Sequence, residues 1–246
     1  MIRIIATADV HSPRFIELFM KSLDQVVVQP DLVVLAGDMV EKNNIYALQP
    51  VYNAIIDRFR GIPIVSVFGN EEFRGFEDKY RTLYSEFKWL NDEYVVLDIK
   101  GFRVAIIGTR GSLDKPTTWQ IRNIPGISNY YRELPYIISR YVDEARLQRI
   151  DYLVLISHYG VTYENLDGED KSIWPYLACR KFEEIIVSKQ IDLVIHAHAH
   201  KGIKECIYIG GTPVYNVSLP ARCRLVEIIL EKKKAYGLEK WFVKVE

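Results

Sequence analysis

The chain has 246 residues, 49% of them hydrophobic, which suits one large α/β domain or two small ones. Its 32 basic residues equal its 32 acidic ones, so it lacks the net positive field on which nonspecific nucleic-acid binding relies. The 3 cysteines are widely spaced and contain no C-x-x-C pair, which argues against a disulfide framework. No apolar run approaches the roughly 18 residues of a membrane span, and the start of the chain does not resemble a signal peptide. We therefore expect a cytoplasmic protein that does not enter a membrane.

The first apolar run, residues 2–8, ends on a carboxylate and an imidazole, Asp9 and His11. Such a run is typical of a buried strand that delivers polar side chains at its carboxyl end. Ser12 and Pro13 follow, and apolar residues then recur at spacings of three and four. This pattern predicts a helix opened by a serine cap with proline in its first turn.

The same arrangement recurs four more times along the chain. Each later run is short and apolar, and each ends in side chains that can bind a metal. The runs are residues 32–36 before Gly37 and Asp38, 64–68 before Gly69 and Asn70, 153–156 before His158, and 193–195 before His196, His198 and His200. Because the carboxyl ends of parallel strands meet at one edge of a sheet, the pattern predicts a metal site there. Glycine at position 37 would let the backbone approach a metal closely.

The connections between these runs alternate with them as helices, which indicates parallel pairing. Residues 45–59 are predicted to be helical. Within residues 73–89 a second helix is predicted, whose packed face comprises Phe76, Tyr80, Leu83, Tyr84 and Phe87. Residues 94–99 and 102–107 flank Lys100 and Gly101 and predict a tight β-hairpin.

Residues 108–134 show no clear period and are the least interpretable part of the chain. Long irregular connections in compact domains are often lids or binding loops. Arg110, Trp119 and Arg122 are the candidate substrate-binding residues, because arginine can clamp a phosphate and an aromatic side chain can stack on a ring. The same composition also suits subunit contacts, so a homo-oligomer stays open.

The rest of the chain completes the element pattern. Helices are predicted at residues 135–149 and 174–189, with a polar surface loop at 161–172. Four short β-like segments, predicted to build a second sheet packed on the first, are residues 205–209, 213–217, 225–230 and 241–245. No internal repeat or linker divides the chain, so we predict a single domain over residues 1–246, with a substrate-binding or oligomerisation insert at about 108–134.

The ordered set of Asp-x-His, Gly-Asp, Gly-Asn-x-Glu, a lone His and His-x-His resembles the calcineurin-like metallophosphoesterases from about residue 1 to residue 220. With this resemblance we predict an α/β fold, a four-layer αββα sandwich of two mixed β-sheets flanked by helices. The resemblance implies two divalent metal ions bridged by Asp38. The remaining ligands that it implies are Asp9, His11 and His200 for one ion, and Asn70, His158 and His198 for the other.

These ligand types suit manganese, which we favour, and also iron, zinc or nickel. Two ions bridged by a carboxylate can hold a water or hydroxide that attacks a phosphate ester in line. Asp38, Asn70, Glu71 and His198 are the candidate catalytic residues. His196 lies outside the family pattern, so a supporting or packing role is expected for it.

Two positions depart from the family pattern. Ala197 stands where a glycine is usual before His-x-His, a minor steric change. Glu71 stands where the family has a histidine that stabilises the transition state and protonates the leaving group. A glutamate has a reference pKa of about 4.3 and is ionised at neutral pH, so it cannot donate that proton unless burial or negative charge intervenes. This favours phosphodiesters or activated esters as substrates.

Three alternatives to a phosphodiesterase stay open. One is a metal-binding interaction scaffold with weak or no turnover, for which the missing histidine argues. The others are a phosphomonoesterase and a protein phosphatase. A nuclease is disfavoured by the balanced charge. The expected partner is a phosphate ester of unknown identity, with neither nucleic acid nor membrane supported.

Overall fold

The structure is a computed structural model that describes residues 1–231, so the strand predicted at 241–245 lies outside the described residues. Within this part of the chain there are eleven β-strands and seven α-helices. The strands are β1 (Ile2–Thr7), β2 (Leu32–Leu35), β3 (Ile64–Val67), β4 (Phe87–Leu90), β5 (Glu93–Ile99), β6 (Phe102–Thr109), β7 (Tyr152–Ser157), β8 (Leu193–His196), β9 (Cys206–Ile209), β10 (Thr212–Asn216) and β11 (Val226–Leu230). The helices are α1 (Ile16–Asp24), α2 (Gln49–Arg58), α3 (Glu77–Leu83), α4 (Thr118–Asn123), α5 (Ile127–Arg146), α6 (Lys181–Ser188) and α7 (Leu219–Arg222).

The strands form two mixed sheets. The first has the order β11-β1-β2-β3-β4, in which β1 to β4 are parallel and β11 runs antiparallel beside β1. The second has the order β5-β6-β7-β8-β10-β9, with a parallel centre and antiparallel edge strands at both ends. Two mixed sheets flanked by helices confirm the predicted fold class.

Strand alternation divides the core into three layers. Ile4 and Val34 belong to the cluster between the two sheets, whereas Ile5 and Val33, one residue away on the same strands, pack under α1 and α2. On the second sheet, Leu155 packs with α5 and α6. Both faces of these strands are therefore buried, which explains why they are almost uninterrupted apolar runs in the sequence.

The strands that precede the predicted ligands are divided between the two sheets. β1, β2 and β3 of the first sheet precede four of the predicted ligands, while β7 and β8 of the second precede the other three. A parallel bridge between Ala8 and Ser218 joins the end of β1 to the segment after β10. The metal site is therefore assembled where two sheets meet at the carboxyl ends of their parallel strands.

Some element predictions were wrong. Residues 225–230 form β11, which joins the first sheet beside β1 and not the second. Phe87 begins strand β4, so the predicted aromatic helix ends at Leu83. Ser12 does not cap a helix: its hydroxyl donates to Ala47 O at 2.7 Å, and α1 begins at Ile16.

The segment 108–134 is more ordered than its composition indicated. It contains α4 and the beginning of α5, which starts at Ile127 and carries Pro135 in its interior. Residues 174–189 are not one helix either, because a 3₁₀ helix at Lys171–Tyr176 precedes α6. Likewise 45–59 divides into a 3₁₀ helix at Ile45–Leu48 and α2. Among the helices of residues 1–231, none is long and apolar enough to cross a membrane.

Candidate metal centre

The first group of candidate ligands joins the end of β1 to the segment after β8. Asp9, His11 and His200 each offer a ligand atom, and these atoms lie within 4.8 Å of one another. His11 Nε2 lies 3.4 Å from His200 Nε2, and His200 Nε2 lies 3.6 Å from Asp9 Oδ1. Ligand atoms that converge in this way from distant parts of the chain can hold one divalent ion.

A second group lies beside the first. It comprises Asp38, His158 and His198, whose ligand atoms again lie within 4.8 Å of one another. Asn70 is adjacent, with its Oδ1 3.3 Å from His158 Nε2. Asp38 Oδ2 lies 3.4 Å from His158 Nε2 and 3.9 Å from His11 Nε2, so this carboxylate lies between the two groups. The structure thus brings all seven predicted ligands together.

Buried atoms without partners test whether metal ions fit here. Asp9 Oδ1 and His198 Nδ1 are buried and make no hydrogen bond. Buried polar atoms are normally satisfied, so such an atom at a functional site calls for an explanation. Coordination of a cation would satisfy Asp9 Oδ1, and a set of carboxylate, amide and imidazole donors fits Mn, Fe, Zn or Ni.

The charges of the ligands are set by their mutual contacts. Burial alone would lower the pKa of His158, but the Asp38 carboxylate outweighs it and raises that pKa to about 9. Burial lowers the pKa of His198 to about 3, with the nearby His158 adding to the effect, so the imidazole of His198 is neutral. The surrounding histidines hold the pKa of Asp9 and of Asp38 below the usual range in spite of burial.

The ligand loops have uncommon backbone conformations. Asp9, His11, Asp38 and His198 have φ angles of 56°, 43°, 51° and 67°. Residues other than glycine rarely adopt a positive φ angle. Those that do cluster at functional sites, where the surrounding fold holds the backbone in this conformation. Here the Asp9 N–H donates to Gly37 O and the His11 N–H donates to Asp38 O, both at 3.0 Å. The first two ligand loops therefore hold each other in place.

Gly37 is required by a crossing of loops. A Cβ at Gly37 would lie 2.7 Å from Gly69 N and 2.8 Å from His158 Nδ1, and its φ of +88° already disfavours a side chain. The sequence predicted a close approach of the Gly37 backbone to a metal, and the close approach in the structure is to the Gly69 backbone and the His158 side chain.

Glu72, the acidic residue of the Gly-Asn-x-Glu motif, to which the sequence analysis assigned no role, holds two ligand loops together. It is fully buried, and its carboxylate accepts the backbone N–H groups of Asp38, Met39, Val40 and Gly69 at 2.7 to 3.2 Å. Burial and the Asp38 carboxylate raise the pKa of Glu72 to about 7, while its backbone donors oppose that rise. The motif marks this position, but the partners of Glu72 are backbone groups that no sequence pattern specifies.

Glu71 is half-buried beside the second ligand group. Its carboxylate accepts the Lys42 backbone N–H at 2.6 Å, and the Asn70 side-chain amide approaches it at 3.4 Å. Its own N–H donates to Asp38 Oδ1 at 2.7 Å. Glu71 therefore fixes the positions of Asn70 and of the loop after Asp38, and its carboxylate lines the cavity that adjoins the ligands.

The three candidate substrate-binding residues have different environments. Arg110 is buried, and its guanidinium donates to Gly69 O and Glu72 O and to Glu77 Oε1, the last at 2.9 Å. Trp119 is 59% exposed. Arg110 and Trp119 both line the cavity, whereas Arg122 is exposed on α4 and is not among the described residues that line it. Their contact with a substrate stays a prediction.

His196 lies apart from both ligand groups. It is fully buried, with its Nε2 2.6 Å from Asn165 Nδ2 and its Nδ1 3.0 Å from Ala197 O. Burial lowers its pKa to about 4, so the ring is neutral. Its place matches the packing role expected from the sequence.

Comparisons with known proteins identify relatives of this fold. The model of the calcineurin-like phosphoesterase family matches residues 2–202, which confirms the resemblance seen in the motifs. Searching the curated proteins gave no significant match. Calcineurin-like phosphoesterase YfkN from Bacillus subtilis has 16% identity and a TM-score of 0.55, with coverage of 87% of this chain and 80% of that one.

Two further solved structures share the fold. The protein TT1561 of Thermus thermophilus has 13% identity and a TM-score of 0.54, with coverage of 94% of this chain and 99% of that one. A putative 5'-nucleotidase from Staphylococcus aureus has 14% identity and a TM-score of 0.55, with coverage of 87% of this chain. The match covers 48% of the nucleotidase, so the chain spans about half the length of that protein.

Proposed function

The chain belongs to the calcineurin-like phosphoesterase family, and we propose that it hydrolyses phosphate esters, with diesters preferred to monoesters. The observation that carries the proposal is the pair of three-residue ligand groups beside a cavity, with Asp38 of the second group within reach of the first. Two bound divalent ions would polarise the phosphoryl group and activate a water molecule for in-line attack. Manganese is the favoured ion, and iron, zinc or nickel are alternatives.

Three side chains of the chain can bind the ions or contact the phosphoryl group. Asp38 lies within reach of ligand atoms in both groups, so it can bridge two ions. His198 is neutral and can therefore offer a nitrogen lone pair. The Asn70 amide, held beside His158 and Glu71, carries N–H groups that can donate to an oxygen of the phosphoryl group.

The preference for diesters rests on Glu71. The residue accepts a backbone N–H from Lys42, which suits a carboxylate acceptor and not an acid poised to protonate a leaving group. Without a proton donor at this place, turnover depends on how well the leaving group departs unaided. A diester also carries one negative charge less than a monoester dianion beside this carboxylate.

The test is hydrolysis of bis(4-nitrophenyl) phosphate and 4-nitrophenyl phosphate by protein stripped of metal and reloaded with Mn, Ni, Zn or Mg. We expect metal-dependent turnover, faster for the diester, that is lost in Asp38→Ala. Faster monoester turnover would contradict the diester preference while leaving the hydrolase in place.

One observation favours a second function, a metal-binding scaffold without turnover: the histidine that the family places at position 71 is glutamate here. Protein that binds two ions and hydrolyses neither ester with any metal would favour the scaffold. The three free cysteines are consistent with the cytoplasmic location that we propose.

A further inference from the structure

A cavity of about 830 Å³ adjoins the second ligand group. Asn70 and His198 are part of its lining, so it is continuous with the metal centre. Cavities of about 300–1,000 Å³ are the usual size for small-molecule sites. The cavity can therefore hold a substantial organic group attached to a phosphate at the ligands.

The walls of this cavity are largely apolar. Leu113 and Tyr159 are buried in its wall. At its margin Phe73, Phe76 and Trp119 are 42%, 43% and 59% exposed. Several large apolar side chains exposed around one opening mark a binding site more often than an ordinary surface.

The charged groups of the cavity are mostly engaged within the protein. The Arg110 guanidinium bonds to Gly69 O, Glu72 O and Glu77, and the Arg74 guanidinium lies 4.4 Å from the centre of the Tyr130 ring. Glu71 adds a carboxylate to the lining. Lys42, an exposed residue, also lines the cavity, so the lining carries charges of both signs and its large apolar side chains are its distinguishing feature.

Helix α4, which carries Trp119, is tied to the metal centre. Thr117 and Gln120 form a capping box at its start. The Gln120 side chain then donates to the Tyr159 hydroxyl at 3.2 Å, and the Tyr159 ring lies 4.8 Å from the His198 ring. This chain of contacts holds the helix at a fixed distance from the ligands, so the cavity is preformed.

We propose that this cavity receives the leaving group of the phosphoester, that this group is aromatic or otherwise apolar, and that Trp119 is the specificity-determining contact. The inference rests on the proposed function. In-line attack sends the leaving group away from the attacking water and the metal pair, into the adjoining space. An apolar ring is stabilised there by removal from water and by aromatic contacts.

The test measures equilibrium binding by calorimetry, with Mn-loaded protein and three phosphonates that share one head group. Methylphosphonate fills only the metal centre, benzylphosphonate adds an uncharged ring, and phosphonoacetate adds a carboxylate. We expect benzylphosphonate to bind at least about tenfold tighter than methylphosphonate, because its ring is buried. Phosphonoacetate is expected to bind more weakly than benzylphosphonate, because it carries no apolar ring.

Trp119→Ala should reduce the advantage of the benzyl compound to less than about threefold. Ile121→Ala is the matched control, because Ile121 lies on the same helix and is 58% exposed, close to the 59% of Trp119, but does not line the cavity. This control should keep the full advantage. Circular dichroism of both variants checks that the helix and the fold are intact.

Equal binding of the three phosphonates, tightest binding of phosphonoacetate, or no binding of any would overturn the inference. An unchanged ratio in Trp119→Ala would remove the role of Trp119. Selective benzylphosphonate binding by protein that hydrolyses no ester would support the cavity assignment and overturn the proposed function, so the two failures are distinguishable.

Discussion

In the metal centre, Asp9, Asp38 and His158 are fully or almost fully buried and their loops are hydrogen-bonded to one another. In the cavity beside it, Phe73 and Trp119 are about half exposed, and one wall comes from a single short helix. The centre is thus held by the ends of two sheets, whereas the cavity is bounded partly by connections. A family can keep such a centre while connections change the substrate. The following predictions test this division, from the largest effect to the smallest.

Replacement of Asp38 by asparagine should have the largest effect. The change keeps the shape of the side chain and removes the charge shared between the two ligand groups, so both ions are expected to bind more weakly. We expect turnover to fall at least about a thousandfold, a loss in the range of single groups that act directly in the transition state. Metal content by mass spectrometry and diester hydrolysis measure the effect.

The control for this prediction is Asp57→Asn, at an aspartate whose side chain is 72% exposed and pairs with the neighbouring Arg60. Turnover by Asp38→Asn within tenfold of the unchanged protein would contradict a bridging role for Asp38.

Replacement of Glu72 by glutamine should disturb the centre without touching a ligand. The amide would present N–H groups to backbone donors that now share two carboxylate oxygens, so at least one buried N–H loses its partner. An unsatisfied buried group costs about 1–3 kcal/mol of unfolding free energy. Urea unfolding measures this loss, and metal titration measures the expected weakening of both sites.

Glu71→Gln is the matched control, since this neighbouring glutamate is only half-buried and accepts the single backbone N–H of Lys42. The unfolding free energy should fall less in this variant. Equal losses in the two variants would show that Glu72 does not hold the loops as described.

Metal binding should depend on pH through His158. Its pKa of about 9 without metal means that the imidazole is protonated at neutral pH, and a metal must displace that proton. Between pH 7 and 9 the apparent affinity of the second site should rise about tenfold per pH unit, then level off above the pKa. Calorimetry in buffers of different ionisation enthalpy should detect about one proton released per ion bound at the second site.

The raised pKa of His158 also predicts how the unfolding free energy of the metal-free protein changes with pH. Because the pKa of His158 is raised by folding from 6.5 to about 9, its stabilising contribution is complete below pH 6.5 and is lost as pH rises through 9. The metal-loaded protein is the control, because its His158 is already neutral. A flat profile for the metal-free protein across this range would contradict the protonated state of His158.

Replacement of Glu71 by histidine should have the smallest effect on stability and a selective effect on turnover. The imidazole restores the proton donor that the family has here, so we expect hydrolysis of phenyl phosphate, which has a poorer leaving group than 4-nitrophenolate, to rise by up to about tenfold and to decline at alkaline pH, where the imidazole is deprotonated. Hydrolysis of the diester should change less, because a singly charged diester depends less on a proton donor at position 71. Unchanged rates and profiles for both esters would remove residue 71 from the mechanism.

The clustering of the candidate ligands could be predicted because each of them follows a buried strand. A run such as residues 32–36 reports its own burial, and the carboxyl ends of parallel strands meet at one edge, so Asp38 had to lie near Asp9. Residues 108–134 could not be interpreted in this way. Helix α4 has 6 residues, too few to show a helical period, and its position beside the second ligand group depends on the contact between Gln120 and the distant Tyr159.

By itself the sequence determined the α/β class, the strand-end placement of the polar side chains and the family, because these follow from burial patterns and short motifs within single segments. Tertiary structure alone decided that β11 joins the first sheet, that Glu72 binds backbone amides of two loops and that Arg110 is buried against Gly69 and Glu77. Each of these depends on which distant segments pack together. The pattern of apolar residues shows that a strand is buried, but it does not show which strands lie beside it. Likewise, the sequence does not show whether a charged residue contacts solvent, a substrate or a backbone carbonyl.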